Sequence, residues 1–280
     1  TVTAASERLE AAGQVLEALK LDARVATPAT LPAVTATLEG RFQGLPLALD
    51  LQGGPEGEGT LRLRAATARL GPATLEASGL LRLAGPVFEG QATLAAPDLA
   101  PLSAIAGQPL AGAIRLEAVG TARDGAQHLE ARLTAPRLLA GGVEARDLAA
   151  TVTGTAAEAE FRLSGRAMEI EAELRGRLTA QAEGARRIEL SVLRATTGGE
   201  TIRLAAPARI GLRADGGVEI GALSLLANRG ATLRVEGNWG PERADVRVGL
   251  AVPDLAALAP LAPGVEPAGR VTAEARITGR

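Results

Sequence analysis

The chain has 280 residues, of which 46% are hydrophobic and 1% aromatic, and its formal net charge is -2. The absence of cysteine excludes disulfides and thiolate metal sites. The sequence contains no uninterrupted run of about 18 apolar residues, the length that a membrane-spanning helix needs. The 30 basic residues are interleaved with 32 acidic ones, which, with so few rings for base stacking, argues against nucleic-acid binding.

Apolar and polar residues alternate from one end of the chain to the other. In Ile114-Arg115-Leu116-Glu117, for example, successive side chains would point to opposite faces of a strand. The alternation predicts strands that are separated mostly by turns containing glycine or proline. In chain order these strands are residues 19–26, 34–42, 45–51, 60–70, 74–83, 88–95, 113–119, 127–135, 160–164, 168–179, 187–195, 201–204, 209–213, 218–226, 231–236, 244–252 and 270–278.

The turn signals favour antiparallel neighbours. Asp124-Gly125, Asp215-Gly216 and Gly53-Gly54-Pro55 each predict a turn, and residues 5–19 allow either a helix or, as Gly13 favours, a hairpin. An open sheet of so many strands would extend on the order of 80 Å, so we expect it to curl or split. The predicted fold is therefore all-β: a long, curled, mostly antiparallel and repetitive sheet.

Two segments interrupt the alternation in the same way. Pro97-Asp98-Leu99 and Pro253-Asp254-Leu255 each follow a strand and precede a strand that a glycine opens. Each predicts a short helix, with Asp98 or Asp254 capping its first amides. The apolar stripes of the two helices would be Leu99, Leu102 and Ile105, and Leu255, Leu258 and Leu261. We expect internal repeat units at about 60–125 and 217–280 within one repetitive segment, residues 1–280.

The sequence carries little catalytic equipment. A zinc site needs several converging ligands, whereas His128 is the only histidine. Neither a nucleophile elbow nor a phosphate-binding loop is present, and the carboxylates alternate with apolar residues, which favours a solvated face. Trp239 lies in an Asn-Trp-Gly-Pro segment that predicts a hairpin turn. We expect no catalytic residue, no cofactor and no metal.

The predicted strands share one apolar face, which two short helices are too small to cover. Such a face must close on itself, pair with a copy or hold something apolar. As an alternative to an open groove, the same residues would form the dry core of a flattened double sheet. The candidate groove-lining residues are Leu61, Leu63, Ile114, Leu116, Ile170, Leu190, Ile202, Leu204, Leu233, Val246, Val248 and Leu250.

Three groups of residues resemble the TamB family of the AsmA-like superfamily. The first is Gly-Arg-Phe-Gln-Gly-Leu-Pro-Leu at 40–47, and the second is the pair of Pro-Asp-Leu segments with the glycine-opened strands that follow them. The third is Ile-Arg-Leu-Ala-Ala-Pro-Ala-Arg-Ile at 202–210, which leads into Asp215-Gly216-Gly217. Their order and spacing carry the resemblance over essentially the whole chain.

The resemblance implies a half-pipe, or β-taco, with an apolar channel that crosses the periplasm. Its implied partners are phospholipid acyl chains or unfolded strands of outer-membrane proteins, together with a barrel-shaped outer-membrane assembly protein. An N-terminal helix of the parent protein would tether it to the inner membrane. Because the chain begins and ends within strand-like runs, we expect an internal fragment without that anchor. The alternative is a repetitive extracellular adhesin, which the Ala, Leu and Arg content disfavours.

Overall fold

The computed structural model describes residues 1–11, 14–26, 33–83, 87–123, 125–228, 230–241, 243–256 and 268–279. Within these ranges the chain forms twenty strands and a single four-residue α-helix. The all-β prediction is confirmed. The chain divides into two compact units, Thr1–Thr155 and Ala156–Arg280, which are described separately below.

The first unit is an antiparallel meander of eleven strands. They are β1 (Val2–Ala11), β2 (Gln14–Ala26), β3 (Ala33–Phe42), β4 (Leu45–Gly57), β5 (Thr60–Leu70), β6 (Ala73–Arg82), β7 (Val87–Ala96), β8 (Leu110–Gly112), β9 (Ile114–Arg123), β10 (Ala126–Ala140) and β11 (Val143–Thr155). Each strand pairs with the next from β1 to β7. The order then continues β7, β9, β10, β11, and β8 lies beside the end of β10.

The second unit has nine strands in the same antiparallel arrangement. They are β12 (Glu158–Ala167), β13 (Ile170–Ala180), β14 (Arg186–Thr197), β15 (Glu200–Leu204), β16 (Ala208–Leu212), β17 (Val218–Ala227), β18 (Thr232–Trp239), β19 (Ala244–Val252) and β20 (Val271–Gly279). Both β15 and β16 lie between β14 and β17, so together they occupy the place of one strand. Pro207 lies in the interruption, where its missing N–H breaks no ladder bond.

Several turn and strand predictions have a clear outcome. Residues 5–11 and 14–19 lie in the antiparallel strands β1 and β2, as the hairpin alternative predicts, and the rest of that segment lies outside the described residues. The backbone N–H of Gly216 donates to the Arg213 carbonyl in the predicted turn. Asp124 lies outside the described residues. The turn predicted at Gly53-Gly54-Pro55 is wrong, because these residues lie inside β4. Two register shifts against β5 accommodate them as bulges, where a proline does not interrupt the ladder.

The first Pro-Asp segment contains the short helical stretch that its sequence predicts, and its first part is a 3-10 turn. A 3-10 turn at Ala100–Leu102 leads into α1 (Ser103–Ala106), which Gly107 ends in the left-handed conformation at φ +66°. In the second segment a helical turn starts at Leu255 and Ala256. The rest of that predicted helix, including Leu258 and Leu261, lies outside the described residues.

Glycines stand where neighbouring strands of the first unit approach each other closely. Gly79, Gly90 and Gly120 are successive cross-strand partners in β6, β7 and β9. A Cβ atom on Gly90 would lie 2.6 Å from the Gly79 Cα atom and would overlap the Ser78 carbonyl oxygen. The Phe88 ring lies beside both Gly90 and Gly120. Only glycine fits in this row at this backbone spacing.

Candidate functional site

A row of leucine and alanine side chains crosses all the long strands of the first unit. Directly opposite residues of an antiparallel pair point to the same side, so a chain of such pairs defines one face. The row consists of Ala4, Leu21, Leu38, Leu49, Ala68, Leu75, Leu94, Leu116, Leu133 and Ala150. We call the side of the sheet that carries it the apolar face of the first unit, and the opposite side the polar face.

The second unit has an apolar face of the same kind. One row crosses it from β12 to β20: Ala159, Leu178, Ile188, Ile210, Ile220, Gly237, Val246 and Ile277. A second row consists of Leu204, Leu225, Leu233, Leu250 and Ala273. Bulges at the Arg175–Gly176 and Ile220–Leu223 steps shift the register without mixing the two faces.

Parts of these apolar faces are open to solvent in the described part of the chain. Leu75 and Leu129 in the first unit are each 41% exposed, and Trp239 at the end of β18 is 54% exposed. The accessible surface of the chain is 17737 Å². Two compact domains sharing its mass of 28.4 kDa would expose about 13,500 Å² in all. The excess agrees with sheets that leave one apolar side open.

All twelve predicted lining residues lie on the apolar face of their unit. The exposed ones, at 38% to 41%, are Leu61, Ile170, Ile202 and Leu250. The half-buried ones are Leu63, Ile114, Leu116, Leu233 and Val248. The buried ones, at 6% to 9%, are Leu190, Leu204 and Val246. The last group is already covered by its neighbours and offers a ligand little surface.

A local cluster explains the buried group in part. Leu190 and Leu204 pack with Ala208, and Phe161 packs against them. Phe161 is opposite Gly176 in the neighbouring strand, and its Cζ atom would be 2.8 Å from a Cβ at that glycine. The ring therefore lies over the glycine and reaches the cluster from β12. Phe161 was not among the predicted residues; a lone aromatic ring in an alternating strand is the signal that could have revealed it.

Gln127 is a polar side chain on the apolar face of the first unit. Its Oε1 atom accepts a 2.6 Å hydrogen bond from the Phe88 backbone N–H, and its Nε2 atom donates to the Phe88 carbonyl at 3.0 Å. The amide thus pairs with backbone groups of β7 from a position on β10. Gln127 was also missed, although it occupies an apolar position in the alternation with Leu129 and Leu133.

The polar face of the first unit carries an equally regular row, one residue along from the leucine row. It consists of Thr3, Asp22, Thr37, Asp50, Thr67, Glu76, Thr93, Glu117, Arg132 and Thr151. A threonine separates every pair of successive carboxylates. This order avoids placing like charges directly opposite each other, which would destabilise the sheet.

Ion pairs neutralise much of the charge on the polar faces. Arg177 contacts Glu158 at 3.0 Å and Glu160 at 3.1 Å, and Arg209 contacts Glu189 at 3.3 Å. The hydrogen bond from Arg276 lowers the pKa of Asp245 below its usual value of 3.8. Exposed pairs of this kind contribute little stability.

The structure gathers no constellation for catalysis or metal binding among the residues it describes. In those ranges no three His, Cys, Asp or Glu side chains are grouped to hold a metal ion. His128 lies on the polar face, opposite Thr121 in β9 and Thr155 in β11. Its direct cross-strand neighbours are therefore hydroxyl side chains, and His128 itself is half-buried.

The two Pro-Asp segments form the same local hydrogen bonds. Asp98 Oδ1 accepts from the Ala100 N–H at 2.9 Å, and Asp254 Oδ1 accepts from the Ala256 N–H at the same distance. The Leu99 N–H donates to the Gly112 carbonyl at 2.9 Å, as that of Leu255 does to Gly269 at 2.8 Å. Both aspartates thus bind the backbone amide two residues further along, although the N-cap position of the first helical turn is Leu99 and not Asp98.

No protein-family model, curated protein or solved structure matches the chain. Among the described residues, none of the helices has the length and hydropathy needed to cross a membrane. The apolar and polar faces are therefore the features of the chain that bear on its function. Their most unusual property is the continuity of a partly exposed apolar surface from strand to strand.

Proposed function

We propose that the chain is a non-enzymatic segment of a TamB-like conduit in the bacterial envelope. Its apolar faces would carry the acyl chains of phospholipids, or the extended strands of outer-membrane proteins, through the periplasm. The observation that carries this proposal is the unbroken row of leucine and alanine across the first unit, in which Leu75 is 41% exposed. A surface of this kind lowers its free energy by holding apolar groups.

The length of the leucine row suits this cargo. Ten strands spaced about 4.8 Å apart give a path of about 43 Å. One leaflet of a bilayer core is about 15 Å thick, half of the usual 30 Å, so the path exceeds the length of one acyl chain. Because apolar attraction has no direction, a chain can move from one leucine to the next without breaking specific bonds.

The proposal includes a cellular setting, which rests on the resemblance of residues 40–47 and 202–210 to the TamB family. In that setting the segment lies in the periplasm, tethered to the inner membrane through its parent protein. A barrel-shaped outer-membrane assembly protein would receive the cargo. The polar faces, with ion pairs such as Arg209–Glu189, suit contact with water on the outer side of such a conduit.

Binding of a fluorescent polyene fatty acid to the purified chain tests the proposal. We expect a saturable rise in emission that unlabelled phospholipid reverses. The Leu129→Arg variant should weaken binding, because it places a charge on the apolar face at a side chain that is 41% exposed. Its neighbour Glu130 lies on the polar face, so Glu130→Arg should bind as the unmodified chain does.

Circular dichroism and urea midpoints of both variants would separate a binding defect from unfolding. If the chain and both variants fold but show no saturable binding, the conduit proposal is wrong and a repetitive structural β protein becomes the better interpretation. If Leu129→Arg unfolds the chain, the apolar face is dry core, as in the flattened double sheet. Equal loss of binding in both folded variants would also contradict the proposal.

A further inference from the structure

A groove crosses the polar face of the second unit over β17 to β20. Its volume is about 750 Å³, and it lies between two cross-strand rows of side chains. One row is Ser224, Arg234, Gly249 and Glu274; the other is Glu236, Arg247 and Arg276. The residues that line the groove besides these two rows are Ala206, Ala222, Leu223, Val235, Val248 and Ala275.

Most charges around this groove are already paired. Arg247 contacts Glu236 at 3.4 Å. Arg276 donates two hydrogen bonds of 2.8 Å to Asp245, which lies outside the groove. Within the described ranges, one cation and one anion of the groove have no ion-pair partner, and these are Arg234 and Glu274.

Gly249 separates these two unpaired residues. It is the direct cross-strand partner of both Arg234 and Glu274, so their backbones are two strand spacings apart, about 9.6 Å. Having no side chain, the glycine leaves the space between them open. A simple anion placed there would be repelled by the carboxylate, and a simple cation by the guanidinium. A molecule that carries both charges a few ångströms apart satisfies both.

We propose that this groove binds a zwitterion of the phosphoethanolamine type. The guanidinium of Arg234 donates hydrogen bonds to the phosphate, in the geometry that arginine favours for phosphate oxygens. The ammonium group donates to the Glu274 carboxylate on the other side of Gly249. Since the groove lies on the polar face, this site is independent of acyl-chain binding on the apolar face.

Titration of the complete 280-residue chain with O-phosphoethanolamine at low ionic strength, followed by calorimetry, tests the proposal. We expect O-phosphoethanolamine to bind saturably. Ethanolamine alone and inorganic phosphate alone should each bind at least about tenfold more weakly. Arg234→Gln and Glu274→Gln should each weaken binding by about tenfold or more, the loss expected for a charged hydrogen bond.

Three further variants control the result. Arg187→Gln and Glu219→Gln remove exposed charges from the same face outside the groove, and both should bind as the unmodified chain does. Gly249→Val should abolish binding by filling the groove, and it should fold, because the nearest atom to an added Cβ is 4.0 Å away. Unchanged affinity in Arg234→Gln and Glu274→Gln, absence of saturable binding, or equal binding of phosphate alone would overturn the proposal.

The same headgroup chemistry occurs in a free compound and in a membrane lipid. Co-sedimentation with phosphatidylethanolamine vesicles, compared with phosphatidylcholine vesicles, distinguishes these sources. If the unmodified chain sediments with phosphatidylethanolamine vesicles and the Arg234→Gln variant does not, the ligand of the groove is the lipid headgroup. Binding of the soluble compound without sedimentation assigns it to the free zwitterion. Both results support the groove, whereas the absence of both forms of binding contradicts it.

Discussion

At the scale of the residue, Gln127 accounts for how one polar side chain is tolerated on an apolar face. Its amide bonds to both backbone groups of Phe88, so neither the side chain nor the half-buried backbone is left unpaired. Gln127→Leu should therefore lower the free energy of unfolding by about 1–3 kcal/mol, although it adds an apolar side chain to an apolar surface. Urea denaturation measures the change.

Gln91 provides the matched control for this prediction. It is exposed on the polar face of β7, so Gln91→Leu should change the free energy of unfolding by less than about 0.5 kcal/mol. A stabilising effect of Gln127→Leu would mean that the hydrogen bonds to Phe88 contribute less than the extra apolar contact.

Asp245 gives a prediction for acid conditions. Its hydrogen bonds from Arg276 lower its pKa in the folded chain below 3.8. A carboxylate whose pKa is lowered by folding stabilises the folded chain fully at pH values above its pKa in the unfolded chain. This stabilisation is lost as the pH falls through its pKa in the folded chain. Asp245→Asn should therefore be less stable than the unmodified chain at pH 7, with a constant difference down to about pH 5 and a shrinking one below about pH 4. Urea midpoints across this range test it.

Arg276→Gln should reproduce that pH dependence, since it removes the other half of the pair. A difference between Asp245→Asn and the unmodified chain that stays the same down to about pH 2 would contradict the assignment.

Residue-level burial was the least predictable property. Ile170 and Leu190 have the same chemistry and lie on the same face, yet Ile170 is 40% exposed and Leu190 is 6% exposed. The difference depends on Phe161, which reaches Leu190 across Gly176. That contact requires the register of three strands, and an alternating pattern in one strand carries no information about its partners.

At the scale of the element, the glycine row determines how closely β6 and β7 approach. Gly90→Ala should lower the free energy of unfolding by about 1–3 kcal/mol, because the new Cβ overlaps backbone atoms that cannot move aside. Gly249→Ala is the matched control: its Cβ would meet only the Arg234 Cβ atom, at an ordinary contact distance of 4.0 Å, so the change should be neutral or slightly stabilising. Equal effects at both positions, measured by urea denaturation, would show that close strand approach is not the cause.

Element prediction succeeded where alternation was strict and failed where backbone conformation broke it. Residues 201–204 and 209–213 were predicted as separate strands, and β15 and β16 agree with this to within one residue. By contrast β11 was not predicted. Asp147 lies within β11 at φ +53°, and such a residue interrupts the period of two on which the prediction depends. Around Gly53 the period is broken by register shifts against β5, which the sequence of β4 alone does not reveal.

At the scale of the whole molecule, each unit is a sheet with two different sides. In the first unit a leucine row and a row of threonines and charged residues run along neighbouring positions of the same strands. This arrangement explains why composition and alternation predicted the fold class well: an all-β chain with one open apolar side needs few large rings and no thick core. No comparable pattern of composition or alternation identifies the cargo or the cellular partners, which are therefore given as proposals.

The central claim is that the apolar faces hold acyl chains while the polar faces do not. Photo-crosslinkers at neighbouring positions on opposite faces test it most directly: Leu116 against Arg115 in the first unit, and Ile202 against Arg203 in the second. With the chain produced in the periplasm of a Gram-negative host, mass spectrometry should find phospholipid attached at Leu116 and Ile202 only. Equal capture on both faces, or no lipid at Leu116 and Ile202, would contradict the account.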